Sequence, residues 1–286
     1  MRRPRPRAPL VAAAVIVAAT ACGCAASGRP ASDGTPASKV PSALVPAGPV
    51  SPSGTPSPSP SPAALPLAGR VVGIDPGHNG GNFSDPGYID QQVWNGREYE
   101  DCDTTGTQTA GGFTEASFNF DVATDLRADL IAAGATVVMT RDSNDGVGPC
   151  VTTRAQIIND AHAQVALDIH ADGGPVSGRG FTVLEPVADG PNDAVIAQSQ
   201  QLGAEVRAAL LRSTPMPQSD YYGTDGVIDR DDLAGLNLTT VPKVLVECGN
   251  MPNPTDAALL ASASFQQQLA TAFTAAIIEF LTGQRG

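Results

Sequence analysis

From Arg70 onward, short apolar runs alternate with longer stretches in which apolar residues recur at helical spacing. Arg70–Asp75 reads as a buried strand, and the Pro-Gly turn after it delivers His78. A long Gly/Asp/Asn-rich loop follows to about Gly112. Thr114–Ala133 then reads as a helix, because Phe118, Val122, Leu126 and Leu130 fall four residues apart. Thr114 stands where an N-cap belongs and Gly134 where a helix stop belongs. Thr136–Thr140 is a second strand, Thr153–Ala163 a second helix and Val165–His170 a third strand. Past a Gly-rich turn at Asp172–Gly178, Gly180–Glu185 is a strand whose short connection predicts an antiparallel neighbour. Asn192–Leu211 is a long helix, Asp220–Asp232 a polar loop and Val244–Glu247 a last buried strand. Helices at Asp256–Ala261 and Phe265–Leu281 close the chain. Strands alternating with helices predict a single α/β domain with a mostly parallel central sheet flanked by helices.

Composition divides the 286 residues differently from their length. All 13 aromatics lie at or after Phe83, and residues 25–66 hold 11 of the 25 prolines. This predicts an export signal at residues 1–24, a disordered Pro/Ser/Ala-rich tether at 25–68 and a folded domain at 69–286. The signal has a basic start, Arg2 to Arg7, and a 12-residue apolar run at Leu10–Ala21, too short for a membrane span. Cys22 and Cys24 follow it among small residues, as in the bacterial lipobox, although the usual upstream Leu is replaced by Ala19 or Ala21. Lipidation at either cysteine is therefore expected, with plain secretion the alternative. Removing the signal takes away four positive charges and no acids, so the net charge moves from −12 to −16. That balance argues against a nucleic-acid partner and leaves a lipid anchor as the membrane contact.

Candidate chemistry collects at the carboxyl ends of the strands, where open α/β sheets bind ligands. His78 follows the first strand, His170 closes the third and Glu247 closes the last. Glu115 begins the first helix at the same edge. At 100° per residue, Phe118, Val122, Leu126 and Leu130 lie within about 60° on either side of it, so Glu115 points toward the sheet. A carboxylate so placed needs a cation or a proton. Two His and one Glu with a free fourth position is a recurring catalytic zinc set. Glu247 is placed to move protons to and from water and a leaving amine.

The strings Val72–Gly80, Thr114-Glu115, Thr140-Arg141-Asp142, Asp168–Asp172 and Val241–Asn250 resemble the N-acetylmuramoyl-L-alanine amidase family, amidase 3 type. The resemblance implies a zinc hydrolase that cleaves the amide between N-acetylmuramic acid and L-alanine in peptidoglycan. It implies His78, Glu115 and His170 as Zn²⁺ ligands and Glu247 as the catalytic carboxylate. Departures stand at Asp168, where the family often has Ser, and near Asn250, and bear on substrate contacts. A zinc carboxypeptidase acting on stem peptides and a non-catalytic peptidoglycan-binding module are the alternatives.

The remaining candidates carry less. Cys102 and Cys150 lie in loops of an exported domain, where pairing closes a 49-residue loop worth about 4 kcal/mol. Cys248, beside Glu247, reads as a small buried residue. Arg141 and Arg154 are candidate holders of a substrate carboxylate, with structural ion pairs as the alternative. Asp75 either orients His78 or caps the turn, His162 reads as a solvated histidine, and Asp220–Asp232 either rims the groove or is plain surface. A monomer is expected.

Overall fold

The computed structural model describes residues 64–283. The export signal, Cys22, Cys24 and most of the proposed tether lie outside them. The folded unit begins slightly before residue 69, because Leu67 is wholly buried in the main core.

The strands are β1 Val71–Pro76, β2 Gln92–Trp94, β3 Tyr99–Asp101, β4 Thr136–Met139, β5 Val165–Asp172, β6 Thr182–Pro186, β7 Val227–Arg230 and β8 Lys243–Asn250. The helices are α1 Pro86–Ile89, α2 Glu115–Ala132, α3 Val151–Asp160, α4 Ile196–Ser213, α5 Ala234–Asn237, α6 Pro254–Leu260 and α7 Ala263–Thr282. Six strands form one sheet in the order β4-β1-β5-β8-β6-β7. The first four run parallel, while β6 is antiparallel to β8 and parallel to β7. The expected antiparallel strand is thus present, but beside β8, because β8 inserts between it and β5. β2 and β3 form a separate hairpin inside the segment expected to be an irregular loop. β7 likewise lies inside Asp220–Asp232, where a loop was expected; all three strands are short and have little apolar alternation to announce them.

The two faces of the sheet follow the two-residue period of its strands. In β5, Val165, Leu167, Ile169 and Ala171 enter the main core, with Val72 and Ile74 of β1 and Val244, Val246 and Cys248 of β8. That core is covered by α2, α4 and α7. The intervening residues face the other side, where Ala166 packs on Ile158 of α3, and Leu245 on Leu236 of α5. By the same alternation, Asp75, Asp168, His170, Lys243 and Glu247 share that second face. Register completes the placement: Asp75 lies opposite Asp168, and His170 opposite Glu247.

Helix α2 begins where its sequence says it should. The Thr114 side chain accepts a hydrogen bond from Ser117 N, an N-cap worth about 1 kcal/mol. Its apolar residues Phe118, Val122, Leu126 and Leu130 are fully buried, and this orientation carries Glu115 to the edge of the sheet at 4 % exposure.

Candidate metal centre

His78, Glu115 and His170 converge, with one ligand atom from each lying within 4.8 Å of the others. Glu115 Oε1 is 3.2 Å from His78 Nε2 and 2.8 Å from His170 Nδ1. Its other oxygen accepts a hydrogen bond from Thr107 N at 2.9 Å. His78 adopts a left-handed φ of 56°, uncommon for a residue with a side chain. The Arg154 guanidinium holds that turn by donating to His78 O at 2.8 Å. Two glycines allow the close approach. A Cβ on Gly77 would lie 2.1 Å from the His170 ring, and one on Gly106 2.7 Å from Glu115 Oε2.

Behind each imidazole stands a carboxylate, and behind each carboxylate a buried cation. His78 Nδ1 is 3.3 Å from Asp103 Oδ1 and 3.1 Å from Thr104 O. Asp103 Oδ2 is 3.1 Å from Arg154. His170 Nε2 is 3.4 Å from Asp168 Oδ1, and Asp168 Oδ2 is 3.0 Å from Lys243 Nζ. Asp75 joins the two halves, 2.7 Å from Lys243 and 3.2 Å from Arg154, and it accepts from Thr140 Oγ1 at 2.6 Å. Carboxylates that receive the outer nitrogen of a ligating histidine fix its ring and raise its basicity. Burial works against charge on Asp75, yet Lys243 and Arg154 hold its carboxyl well below the usual range.

In the metal-free protein, burial opposes a charged His78, but Glu115 and Asp103 raise it to about 9. Burial likewise opposes a charged His170, and Asp168 and Glu115 raise it well above the ordinary value. Glu115, despite burial, is held well below the usual carboxylate range by the two imidazoles. A site that stabilises two positive imidazoles around one carboxylate has the electrostatics to accept a cation. Glu247 stands in the same cavity of about 340 Å³. Burial pushes its pKa up to about 8, against the pull of His170. Its Oε2 is buried without a hydrogen-bond partner. The N/O/N donor set, anchored rings and free carboxylate oxygen fit a zinc ion.

Other candidates fall elsewhere. Arg141 and Arg154, read as carboxylate clamps, are 5 % and 2 % exposed. Arg141 donates to Pro76 O, Gly77 O and Ala116 O, and Arg154 to Pro76 O and Pro149 O besides its carboxylates. Their guanidinium groups are engaged in shaping the turn that carries His78, the structural role that stood as the alternative to holding a substrate carboxylate. Asp168, whose departure from the family pattern pointed to substrate contacts, lies behind His170. Asn250 donates to Pro175 O and Gly178 O and so pins the Gly-rich turn. His162 is exposed, as expected of a solvated residue. Cys248 is wholly buried, and burial pushes its thiol pKa well above the ordinary value, which removes it as a nucleophile. Arg230, within Asp220–Asp232, lines the cavity and pairs with Asp232 and Tyr222.

Two residues were missed. Lys243 could have been found from the strand period, since it lies on the same face as Glu247. Asp103 carries no sequence signal beyond its neighbour Cys102.

Cys102 and Cys150 form a disulfide. It joins the residue before Asp103 to the residue before α3, which supplies Arg154, so the bridge braces the support of His78. Replacing both cysteines by Ala is expected to cost about 4 kcal/mol of unfolding free energy in denaturant titration. It is also expected to weaken zinc binding in a competition assay. A loss below about 1 kcal/mol would mean the bridge is not a structural brace.

A family model described as N-acetylmuramoyl-L-alanine amidase matches residues 72–279. The chain is 40% identical over 219 residues to the N-acetylmuramoyl-L-alanine amidase Rv3717 of Mycobacterium tuberculosis, covering 76% of this chain and 89% of that protein. The solved structure of the N-acetylmuramyl-L-alanine amidase Ami1 from Mycobacterium smegmatis is similar, with TM-score 0.71 and 41% identity over 76% of this chain and 99% of that one. The apo form of Ami1 from Mycobacterium abscessus gives TM-score 0.71 at 38% identity, covering 76% of this chain and 100% of that one.

Proposed function

The chain belongs to the N-acetylmuramoyl-L-alanine amidase family, and from that premise we propose that it is an exported zinc amidase of peptidoglycan. His78, Glu115 and His170 hold the ion, and Glu247 carries the protons. The observation that bears most weight is the unpartnered, buried Glu247 Oε2 in the cavity where the three donor groups converge.

When bound, zinc lowers the pKa of water toward about 7 and polarises a carbonyl oxygen. The rest follows from the chain's own groups. Glu247 accepts a proton from the attacking water and delivers it to the nitrogen of L-alanine as the amide breaks, so that a neutral amine departs. Burial favours its protonated form in the metal-free protein, and the carboxylate form that the first transfer needs would be favoured with a cation held by His78, Glu115 and His170. Asp103 and Asp168 hold the imidazoles in orientation, and Arg154 and Lys243 pair with those carboxylates from behind. The disulfide supports an extracytoplasmic location. Residues 1–24 direct export, with Cys22 or Cys24 as the lipid-bearing residue and residues 25–68 as the link to the membrane.

The test is mass spectrometry of products from N-acetylmuramoyl-L-alanyl-D-isoglutamine, with and without a chelator. The expected products are the free dipeptide and N-acetylmuramic acid, lost with chelator and restored by Zn²⁺. Cleavage within the peptide would favour the carboxypeptidase reading, and chelator-insensitive cleavage would remove the metal.

A further inference from the structure

A second cleft, of about 500 Å³, adjoins the metal cavity. The two share Gly106 in their walls. Asn79, Thr114 and Ala116 of this cleft are chain neighbours of the ligands His78 and Glu115, so it opens immediately beside the metal centre. Its chemistry differs sharply from that of the first cavity. The metal cavity carries Glu100, Asp101, Asp172, Arg230 and Glu247 along its walls. No ionisable side chain lines the second cleft, whose walls include Asn79, Phe83, Thr105, Thr107, Gln108 and Thr114. Phe83 presents an apolar ring at 75 % exposure. Asn79 is 6 % exposed, donates to Gly148 O at 2.7 Å and leaves its Oδ1 without a donor. An unfilled buried acceptor costs about 1–3 kcal/mol unless a ligand or water supplies the donor.

We infer that this neutral cleft is the glycan subsite, taking the N-acetylated amino sugar, while the stem peptide runs along the charged cavity. The inference rests on the amidase reading above and deepens it.

Two independent arguments give the same direction. The leaving nitrogen belongs to the peptide, and its proton comes from Glu247, which lines the charged cavity and not the neutral cleft. The peptide therefore leaves by the charged side, and the sugar on the carbonyl side of the amide needs the adjoining space. The chemistry agrees. An N-acetylated sugar is uncharged, offers an apolar C–H face to an aromatic ring, and carries hydroxyl and amide groups for Gln108 and the threonines. A stem peptide carries ionised groups that suit charged walls.

The experiment uses the zinc-loaded protein and two probes. The first is the peptide-free disaccharide N-acetylglucosaminyl-N-acetylmuramic acid, followed by amide chemical shifts. Shifts are expected at residues 79–84 and 105–108 and should be lost in Phe83→Ala, whose exposed position spares the core. The second is hydrolysis of the same disaccharide carrying L-alanyl-D-isoglutamine. Phe83→Ala and Gln108→Ala are each expected to raise KM, Phe83→Ala about 10-fold, with kcat little changed, the signature of lost uniform binding. Shifts clustered around Glu100 and Arg230, no shifts at all, or an unchanged KM would overturn the assignment. Failure of the unmodified protein to cleave the second probe would remove the amidase reading alone, since disaccharide binding is read separately.

Discussion

Glu247→Gln is expected to lower kcat on a muramoyl peptide by about 10²–10⁴-fold while zinc content stays stoichiometric. Gln keeps the shape of the side chain in a site where Oε2 already lacks a partner, so the fold and the three converging donors should be untouched. What it removes is the group that takes a proton from water and returns it to the amine. His170→Ala serves as the contrast, because it deletes one of the three donors and should lose metal and activity together. The two variants separate holding the ion from moving the proton, by metal analysis beside turnover. Undiminished hydrolysis by metal-loaded Glu247→Gln would refute the proposed proton carrier.

Lys243→Met is expected to destabilise the fold by about 3–5 kcal/mol, the usual cost of leaving buried charge uncompensated. Lys243 is 1 % exposed, and its Nζ lies 2.7 Å from Asp75 and 3.0 Å from Asp168. Both carboxylates lose their shared cation in the variant, and only Asp75 retains Arg154 at 3.2 Å. The folded-state pKa of Asp75 lies below its ordinary 3.8. Its ionic contribution is therefore present above that ordinary value and disappears as pH falls through the lower, folded one. The stability gap between the two proteins should be full near neutrality and narrow in acid, measured by urea unfolding across pH. Zinc affinity should also fall, by about 10–100-fold, because Asp168 no longer orients His170 reliably. A gap under about 1 kcal/mol at neutral pH would put the network in the class of surface pairs, against its burial.

The sites of these two predictions differ in how visible they were beforehand. Glu247, His78 and His170 each follow or close an apolar strand, and Glu115 sits in the middle of the apolar stripe of α2. Periodicity alone sent all four to one edge of a sheet. Lys243 stood in the same strings unread, and Asp168 was read only as bearing on substrate contacts, because strand alternation was applied to apolar residues and not to the polar ones between them. Asp103 had no such pattern: it belongs to an irregular loop, held in place by a disulfide and by an arginine 51 positions later. Arg141 and Arg154 were left between two roles for a related reason. A sequence shows that a guanidinium exists but not whether carbonyl groups from distant turns have consumed its donors.

Local information in this chain is strong where hydrogen bonding and burial repeat along the backbone. Periodicity and capping are properties of neighbouring residues, so the α/β class, the start of α2 and the inward direction of Glu115 were already settled in the sequence by itself. The family motifs, which are equally local strings, added the four chemical residues in their roles. Tertiary structure decided what depends on strand order and register: β8 inserted between β5 and β6, His170 set opposite Glu247, and Asp75 joined to Lys243 across the sheet. It also separated a charged cavity from a neutral cleft at Gly106. Those contacts join residues up to 168 positions apart, and their geometry exists only once the chain's apolar residues have been buried together.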